Sequence, residues 1–293
     1  MELVIQTIIN GILVGGIYGC VGVGFSLVWG VSNIINLTHG IFVILGAYIA
    51  FWLFTLYHID PFISIPISAA ILFLVGILVQ KFLLNYIVGT RSALGVFMSL
   101  ILTFGLARVF ENIMLLSWKA DWRSVTTAYS GLSLSFWGLN LPYIRIAVFA
   151  LGLVTAFLLS AFLKRTLTGM AIQAVTFNIM GAQIVGIDLA RIYIITFAIG
   201  AAVAGVAGCL IALVYSFSPF SSVPYLNWAF VVVVLGGLGS MYGAIIGGLI
   251  LGVIEAFTTV YVGPGYQQAI GFTILVLLLI FRPQGLFGKK FLK

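Results

Sequence analysis

The sequence predicts an all-α integral membrane protein, a polytopic bundle of eight or nine spans with its N-terminus outside and its C-terminus in the cytoplasm. Three observations carry that expectation. Of 293 residues, only 13 Lys or Arg and 6 Asp or Glu are charged, where a soluble domain of this length carries about 73 charged residues. Hydrophobic residues make up 63% of the chain, and the mean hydropathy is +1.28. Apolar runs long enough to cross ~30 Å of hydrocarbon follow one another from end to end. Too little polar surface remains for a soluble enzyme, a nucleic-acid binder or a disordered chain.

The runs lie at 3–29, 40–57, 62–82, 93–116, 143–163, 193–215, 227–261 and 267–281. They are apolar on every side and lack the alternation of barrel strands, so helices are expected. The first run starts almost at Met1, and the first basic residue is Lys81, so it reads as a span and not as a cleavable signal. The run 227–261 is too long for one upright crossing and is interrupted at Gly236-Gly237-Leu238-Gly239-Ser240. A short helix, a bend and a second helix are predicted there.

Basic residues set the orientation. Lys81 and Arg91, then Lys164, Arg165 and Arg191, then Arg282, Lys289, Lys290 and Lys293 form clusters that the positive-inside rule puts in the cytoplasm. Lys119, Arg123 and Arg145 remain outside, and Arg108 falls within a span. Alternation from these loops makes 117–142 an external cap and 164–191 a cytoplasmic segment. The latter has apolar residues recurring at Met170, Ile172, Val175, Ile179, Ile184 and Val185, the pattern of short helices at a surface or in a partner's groove. No repeat or linker divides the chain, so residues 1–293 read as a single transmembrane domain.

Glycine numbers 34, against about 20 at average usage. Gly11, Gly15 and Gly19 share one helix face, as do Gly200, Ala204 and Gly208, and Gly239, Gly243 and Gly247. Such strips let backbones approach closely, as tight packing or as surfaces that slide. Cys20 and Cys209 lie in apolar runs without metal or redox spacing and read as small packing residues.

Ionisable residues within spans are candidates for a substrate pathway. Arg108 and Glu111 stand three apart on one helix face, as a structural ion pair or as pathway lining, with Glu111 nearer the outer end and Arg108 deeper. Glu255 fits a polar route, a pairing with a neighbouring helix or a solvated outer mouth. His39, with Asn33, Asn36 and Thr38, sits in a polar bend between the first two spans, where it stabilises a break in the helix. No GxSxG, HExxH, GxGxxG or GxxxxGK[ST] pattern is present, so neither an enzyme site nor a phosphate loop is expected. Uphill transport would draw on an ion gradient or on a separate polypeptide.

The chain also resembles a known family along nearly its whole length: the inner-membrane permeases of ABC importers for branched-chain amino acids, LivH type. The residues that carry the resemblance are Asn10-Gly11-Ile12-Leu13-Val14-Gly15-Gly16-Ile17-Tyr18, the run from Gly30 through Asn36 and His39-Gly40 to Tyr48, and 196–208. Leu235 to Ser240, Gly243-Ala244, Gly247-Gly248, Glu255 and the ending Arg282-Pro283-Gln284-Gly285-Leu286-Phe287-Gly288 complete it. The resemblance implies import of branched-chain or related amino acids across the cytoplasmic (inner) membrane, with urea, amides or another small polar solute as the alternative cargo and a carrier or channel without ATP as the alternative mode. It implies a second, homologous permease subunit, two cytoplasmic ABC ATPases holding ATP and Mg, and an external solute-binding protein; no cofactor in this chain and no nucleic acid are expected. Gly169, Ala171, Ala174, Asn178, Ala182, Gly186, Ile187 and Asp188 occupy positions similar to that family's ATPase-coupling segment. Met170, Gln173, Phe177, Ile179, Met180 and Gln183 stand where relatives commonly carry charge, so docking here is expected to depend on packing.

Overall fold

The computed structural model of the chain describes residues 2–87, 93–136 and 138–288; Arg91, Lys289, Lys290 and Lys293, counted above among the basic clusters, lie outside the described residues. The helices are α1 (Glu2–Ser32), α2 (His39–Tyr57), α3 (Pro61–Phe82), α4 (Ala93–Trp118), α5 (Tyr143–Arg165), α6 (Leu167–Phe177), α7 (Ile179–Ile184), α8 (Leu189–Val214), α9 (Ser222–Gly236), α10 (Met241–Tyr261) and α11 (Gln267–Phe281). A small antiparallel hairpin, β1 (Ser133–Phe136) and β2 (Leu139–Pro142), pairs Ser133 with Pro142. Among the described residues, nine helices are long and apolar enough to span a membrane, all but α6 and α7. The count settles at nine because the run 227–261 is indeed two helices. The bend between them needs glycine, since Gly237 and Gly239 take φ of +102° and +77°.

Helix starts follow local chemistry. Asp60 accepts from the Phe62 N–H at 2.9 Å with Pro61 in the first position of α3, and Ser240 accepts from Gly243 N–H at 3.0 Å to open α10. Two helices form the centre of the bundle. In α1 and α8 the spanning windows are 89% and 83% buried, against 28% in α3, α4 and α5 and 11% in α11. A helix apolar all round suits either a buried place or lipid, and the small residues decide which helices go inside. Gly11, Gly15 and Gly19 lie against α10: a side-chain carbon on Gly11 would fall 2.6 Å from Val253 Cα, and on Gly15 2.7 Å from Leu249 Cα. The α8 strip does the same for α2, where Gly46 would meet Gly205 Cα at 2.7 Å, and for α3, where Gly76 would meet Ala198 Cα at 2.7 Å. Cys20 and Cys209 are buried free thiols within this packing.

With an odd number of spans the chain begins at one rim of the bundle and ends at the other. At the N-terminal rim, Gln6 exchanges hydrogen bonds of 2.7 and 2.8 Å with the Asn140 backbone. Tyr129 donates to Asp60 Oδ2 at 2.9 Å. The segment 119–130 is less solvated than its charges suggest. Arg123 lies over the rings of Phe51 and Trp52 at 5.0 and 5.1 Å and pairs its backbone with Phe217. At the C-terminal rim the motif ending the resemblance has a structural task. Leu286 and Phe287 N–H donate to the Leu235 and Gly236 carbonyls at 2.9 and 3.0 Å, satisfying the free end of α9.

Candidate functional site

Two helices begin inside the bundle. The chain leaves α1 at Asn33, whose φ of +53° ends the helix, and turns back through 34–38. His39, the first residue of α2, places Nε2 2.9 Å from the Val21 carbonyl in the middle part of α1. An acceptor there requires the proton on Nε2, which leaves Nδ1 without a partner. Asn36 Oδ1 accepts from both the backbone N–H and the hydroxyl of Thr38. On α4, Thr103 Oγ1 accepts from Leu37 N–H at 3.2 Å and sits 3.0 Å from the Ile35 carbonyl. Side chains thus satisfy the backbone of the turn at Leu37, Thr38 and Ile35, the service that non-helical chain in a membrane requires.

The second interior start is α9. Beyond Tyr215 the chain is irregular until the short turn Pro219–Ser221 leads into Ser222. The two starts meet: a side-chain carbon on Gly40 would fall 2.9 Å from Leu226 Cβ. Ser222 donates to Glu111 Oε2 at 3.3 Å, and Arg108 Nη1 lies 2.9 Å from the same oxygen. Asn36, His39 and Thr103 hold the turn between α1 and α2, and Arg108 and Glu111, predicted as a pair, meet Ser222 at the start of α9. Gly40 against Ser222 and Leu226 joins the two groups into one junction of α1, α2, α4 and α9.

Enclosure by protein differs within the ion pair. Glu111 has 8% of its side chain exposed and Arg108 40%. The face of the helix each residue occupies sets this difference. Glu111 turns toward α9 while Arg108 lies along the outer surface of α4 over Phe104, 5.4 Å from the ring centroid.

Glu255 stands apart from this group. It is buried on α10, and its partner is Tyr18 on α1, whose hydroxyl donates to Oε2 at 2.5 Å. Among the described residues no basic side chain is paired with it, and the neighbours in contact are aromatic. The Trp228 ring lies 4.5 Å from that of Tyr18 and 5.0 Å from that of Tyr225. Tyr18, Tyr225, Trp228 and Ser222 went unrecognised in the sequence. Serines at 216, 218, 221 and 222 within an apolar stretch are a readable sign of a helix break; the aromatic residues have no such sign, since any hydrophobic run contains them.

At the C-terminal rim, α6 and α7 lie between α5 and α8. Thr166 accepts from Gly169 N–H and Asn178 from Gly181 N–H, each at 3.0 Å, and Asp188 accepts from Arg191 N–H at 3.3 Å. Of the residues predicted for coupling, Gly169 and Ala182 are buried, Ala171, Ala174 and Ile187 half-buried, and Asn178, Gly186 and Asp188 exposed. Gly169 holds α6 to α5: a side-chain carbon there would fall 2.5 Å from Leu163 Cα. Gly186 takes φ of +84°. Together with Asn178, Gly186 and Asp188, the outward surface carries Leu167, Met170, Met180, Ile184 and Val185, all exposed.

The family described as branched-chain amino acid transport system, permease component, matches residues 7–281. The high-affinity branched-chain amino acid transport system permease protein BraD of Pseudomonas aeruginosa is 32% identical over 294 residues, covering 97% of this chain and 96% of BraD. The corresponding permease protein LivH of Escherichia coli is 26% identical over 302 residues, covering 97% of this chain and 96% of LivH. LivM of the same organism is 26% identical over 306 residues, covering 92% of this chain and 67% of LivM. No solved structure matches the chain.

Proposed function

This chain belongs to the family of permease components of branched-chain amino acid transport systems, and from that premise we propose that it is the membrane subunit of an ATP-driven importer of branched-chain or related amino acids. The whole chain, 1–293, acts as one permease domain in the cytoplasmic membrane. The observation that carries the reading is the interior junction, where α2 and α9 begin against each other, with Asn36 and His39 at the start of one and Ser222, bonded to Glu111, at the start of the other. Helices broken at mid-depth supply polar groups where a zwitterion must pass, and irregular backbone is tolerated in a membrane only where protein or a cavity surrounds it.

The basic clusters put the C-terminal rim in the cytoplasm and the N-terminal rim outside. Two ABC ATPases with their ATP and Mg grip α6 and α7, a second homologous permease completes the pathway, and a solute-binding protein delivers cargo to the outer rim. The short helices suit this task. The buried Gly169 and the Thr166 cap fix α6 to the end of α5, and the Asp188 cap starts the central helix α8 directly after α7. A push on α6 and α7 therefore reaches both the outer layer and the centre, biasing one packing of the bundle over another. Similarity to proteins named LivH and to one named LivM fits a pathway of two related subunits.

The test is uptake of labelled leucine into liposomes holding the permeases, the ATPases and the binding protein. The reading predicts accumulation that needs enclosed or added ATP on the ATPase side. Equal uptake by the permease alone without nucleotide, or none by the complete complex, overturns it.

A further inference from the structure

Glu255 has an uncompensated oxygen. The residue is 3% exposed, and Tyr18 satisfies Oε2, but Oε1 has no hydrogen-bond partner. The Trp228 indole N–H lies close to the same carboxyl without completing a bond. Among the described residues the ion pair in evidence is Arg108–Glu111, and no basic side chain is paired with Glu255. Burying a carboxylate away from water is costly unless a proton, a cation or several donors compensate it. Glu111 has the cation Arg108 and Ser222; among the described residues Glu255 has neutral donors, the Tyr18 hydroxyl and the nearby Trp228 N–H.

The rings around it have a matching property. Trp228 lies 4.5, 5.0 and 6.4 Å from Tyr18, Tyr225 and Tyr215, with interplanar angles of 44°, 76° and 50°. Electron-rich rings attract a cation, Trp most of all. A buried carboxylate beside such an aromatic cluster is the chemistry that recognises a primary ammonium. The elements involved are α1, α10, the end of α8 and the first turns of α9, so this cluster adjoins the helix break at 215–221.

We infer that Glu255, with Tyr18, Tyr215, Tyr225 and Trp228, forms the subsite for the ammonium group of the transported amino acid. The inference rests on the import reading above. It adds a selectivity filter within the membrane: a carboxylic acid lacking the ammonium leaves Glu255 unpaired, so the permease rejects it whatever is delivered from outside.

In the complete complex in liposomes, Glu255→Gln keeps an acceptor for Tyr18 and resembles a neutral carboxyl. Leucine uptake falls about 30-fold while ATP hydrolysis stimulated by the binding protein persists. Uptake within about twofold of the wild type overturns the subsite, since a neutral group then suffices. A wild-type complex that takes up no leucine sinks the import reading instead. A measurement without any variant guards against misfolding. In the nucleotide-free wild-type complex, an apolar carbodiimide modifies Glu255, read by mass spectrometry, and leucine protects it whereas its deaminated analogue isocaproate does not. Equal protection by both, protection by neither, or no modification of Glu255 contradicts the inference.

Discussion

The seam between α1 and α10 and the junction where α2 and α9 begin are both buried in the same bundle, yet they are built on opposite rules. Along the seam, glycines at four-residue spacing bring backbone onto backbone, with Gly15 and Gly252 facing each other and no side chain between them. At the junction polar side chains stand in the interior, and one of them, His39, keeps a ring nitrogen, Nδ1, without a partner. In lipid there is no hydrophobic gain from putting one apolar helix against another, so close approach holds the seam together. Polar groups at the junction add nothing comparable and cost desolvation, which argues that they are kept for what passes by them. The same helix α1 contributes to both, with Gly11 and Gly15 on the seam and the Val21 carbonyl, bound by His39, farther along.

Breaking the seam should have the largest effect. Gly15→Leu must place a side chain where even its first carbon falls 2.7 Å from Leu249 Cα, and overpacking of this kind costs about 3 kcal/mol or more. Thermal unfolding in detergent should show a lower midpoint and loss of monodisperse elution; an unchanged midpoint means the seam yields. At the cytoplasmic rim, Ile184→Glu with Val185→Glu changes exposed side chains only. The fold should persist while co-purification of the ATPases falls at least about tenfold, the loss of ~1.4 kcal/mol or more of contact. Retained co-purification moves docking elsewhere. Gly169 is a poorer site for this test, because its substitution distorts the joint between α5 and α6 before any partner is met.

Within the junction, the two halves of the ion pair should respond unequally. Arg108→Leu strands the buried Glu111, costing about 2–3 kcal/mol, whereas Glu111→Gln keeps the Ser222 contact and leaves a half-exposed Arg108, costing about 1 kcal/mol. Chemical unfolding of both variants measures the difference, and equal losses refute the burial order. Exchanging the two residues should rescue little, since the sites differ. The smallest effect is at the outer rim, where burial, and then the hydrogen bond to Asp60, push the Tyr129 hydroxyl up from 10.0 to about 12. The folded form holds this proton more tightly than the unfolded chain, so the contribution is complete below pH 10 and lost as pH rises through about 12. Tyr129→Phe should flatten that part of the stability profile; an unaltered profile shows that another group titrates there.

Much of the seam was readable from the sequence, because close packing leaves a spacing: Gly11, Gly15 and Gly19 state the face in contact. The two helices within 227–261 were likewise readable from Gly236 to Ser240, where left-handed backbone needs glycine. The junction was legible only in part. Asn36 and His39 announced a break, and Arg108 and Glu111 announced their pairing. Which way each side chain of α4 turned depended on α9, whose position no local pattern encodes. Tyr18 and Trp228 were hidden because aromatic residues serve equally as lipid-facing, packing or binding groups. On α6 and α7 the small residues were legible as a pattern, but that pattern marks what lies against α5 and α8. The outward surface combines the exposed Asn178, Gly186 and Asp188 with apolar residues between them, such as Met180 and Ile184.

The account depends most on the junction being part of the route, and one measurement addresses that directly. A single cysteine at Ser222, in a chain whose native Cys20 and Cys209 are both buried, is treated with a small membrane-impermeant thiol reagent in the reconstituted complex. The account predicts modification from the outer rim in one nucleotide state and protection in the other, with leucine slowing the reaction. A cysteine that stays unreactive from both sides, with and without ATP, would mean that the meeting point of α2 and α9 is closed structure and that solute travels elsewhere.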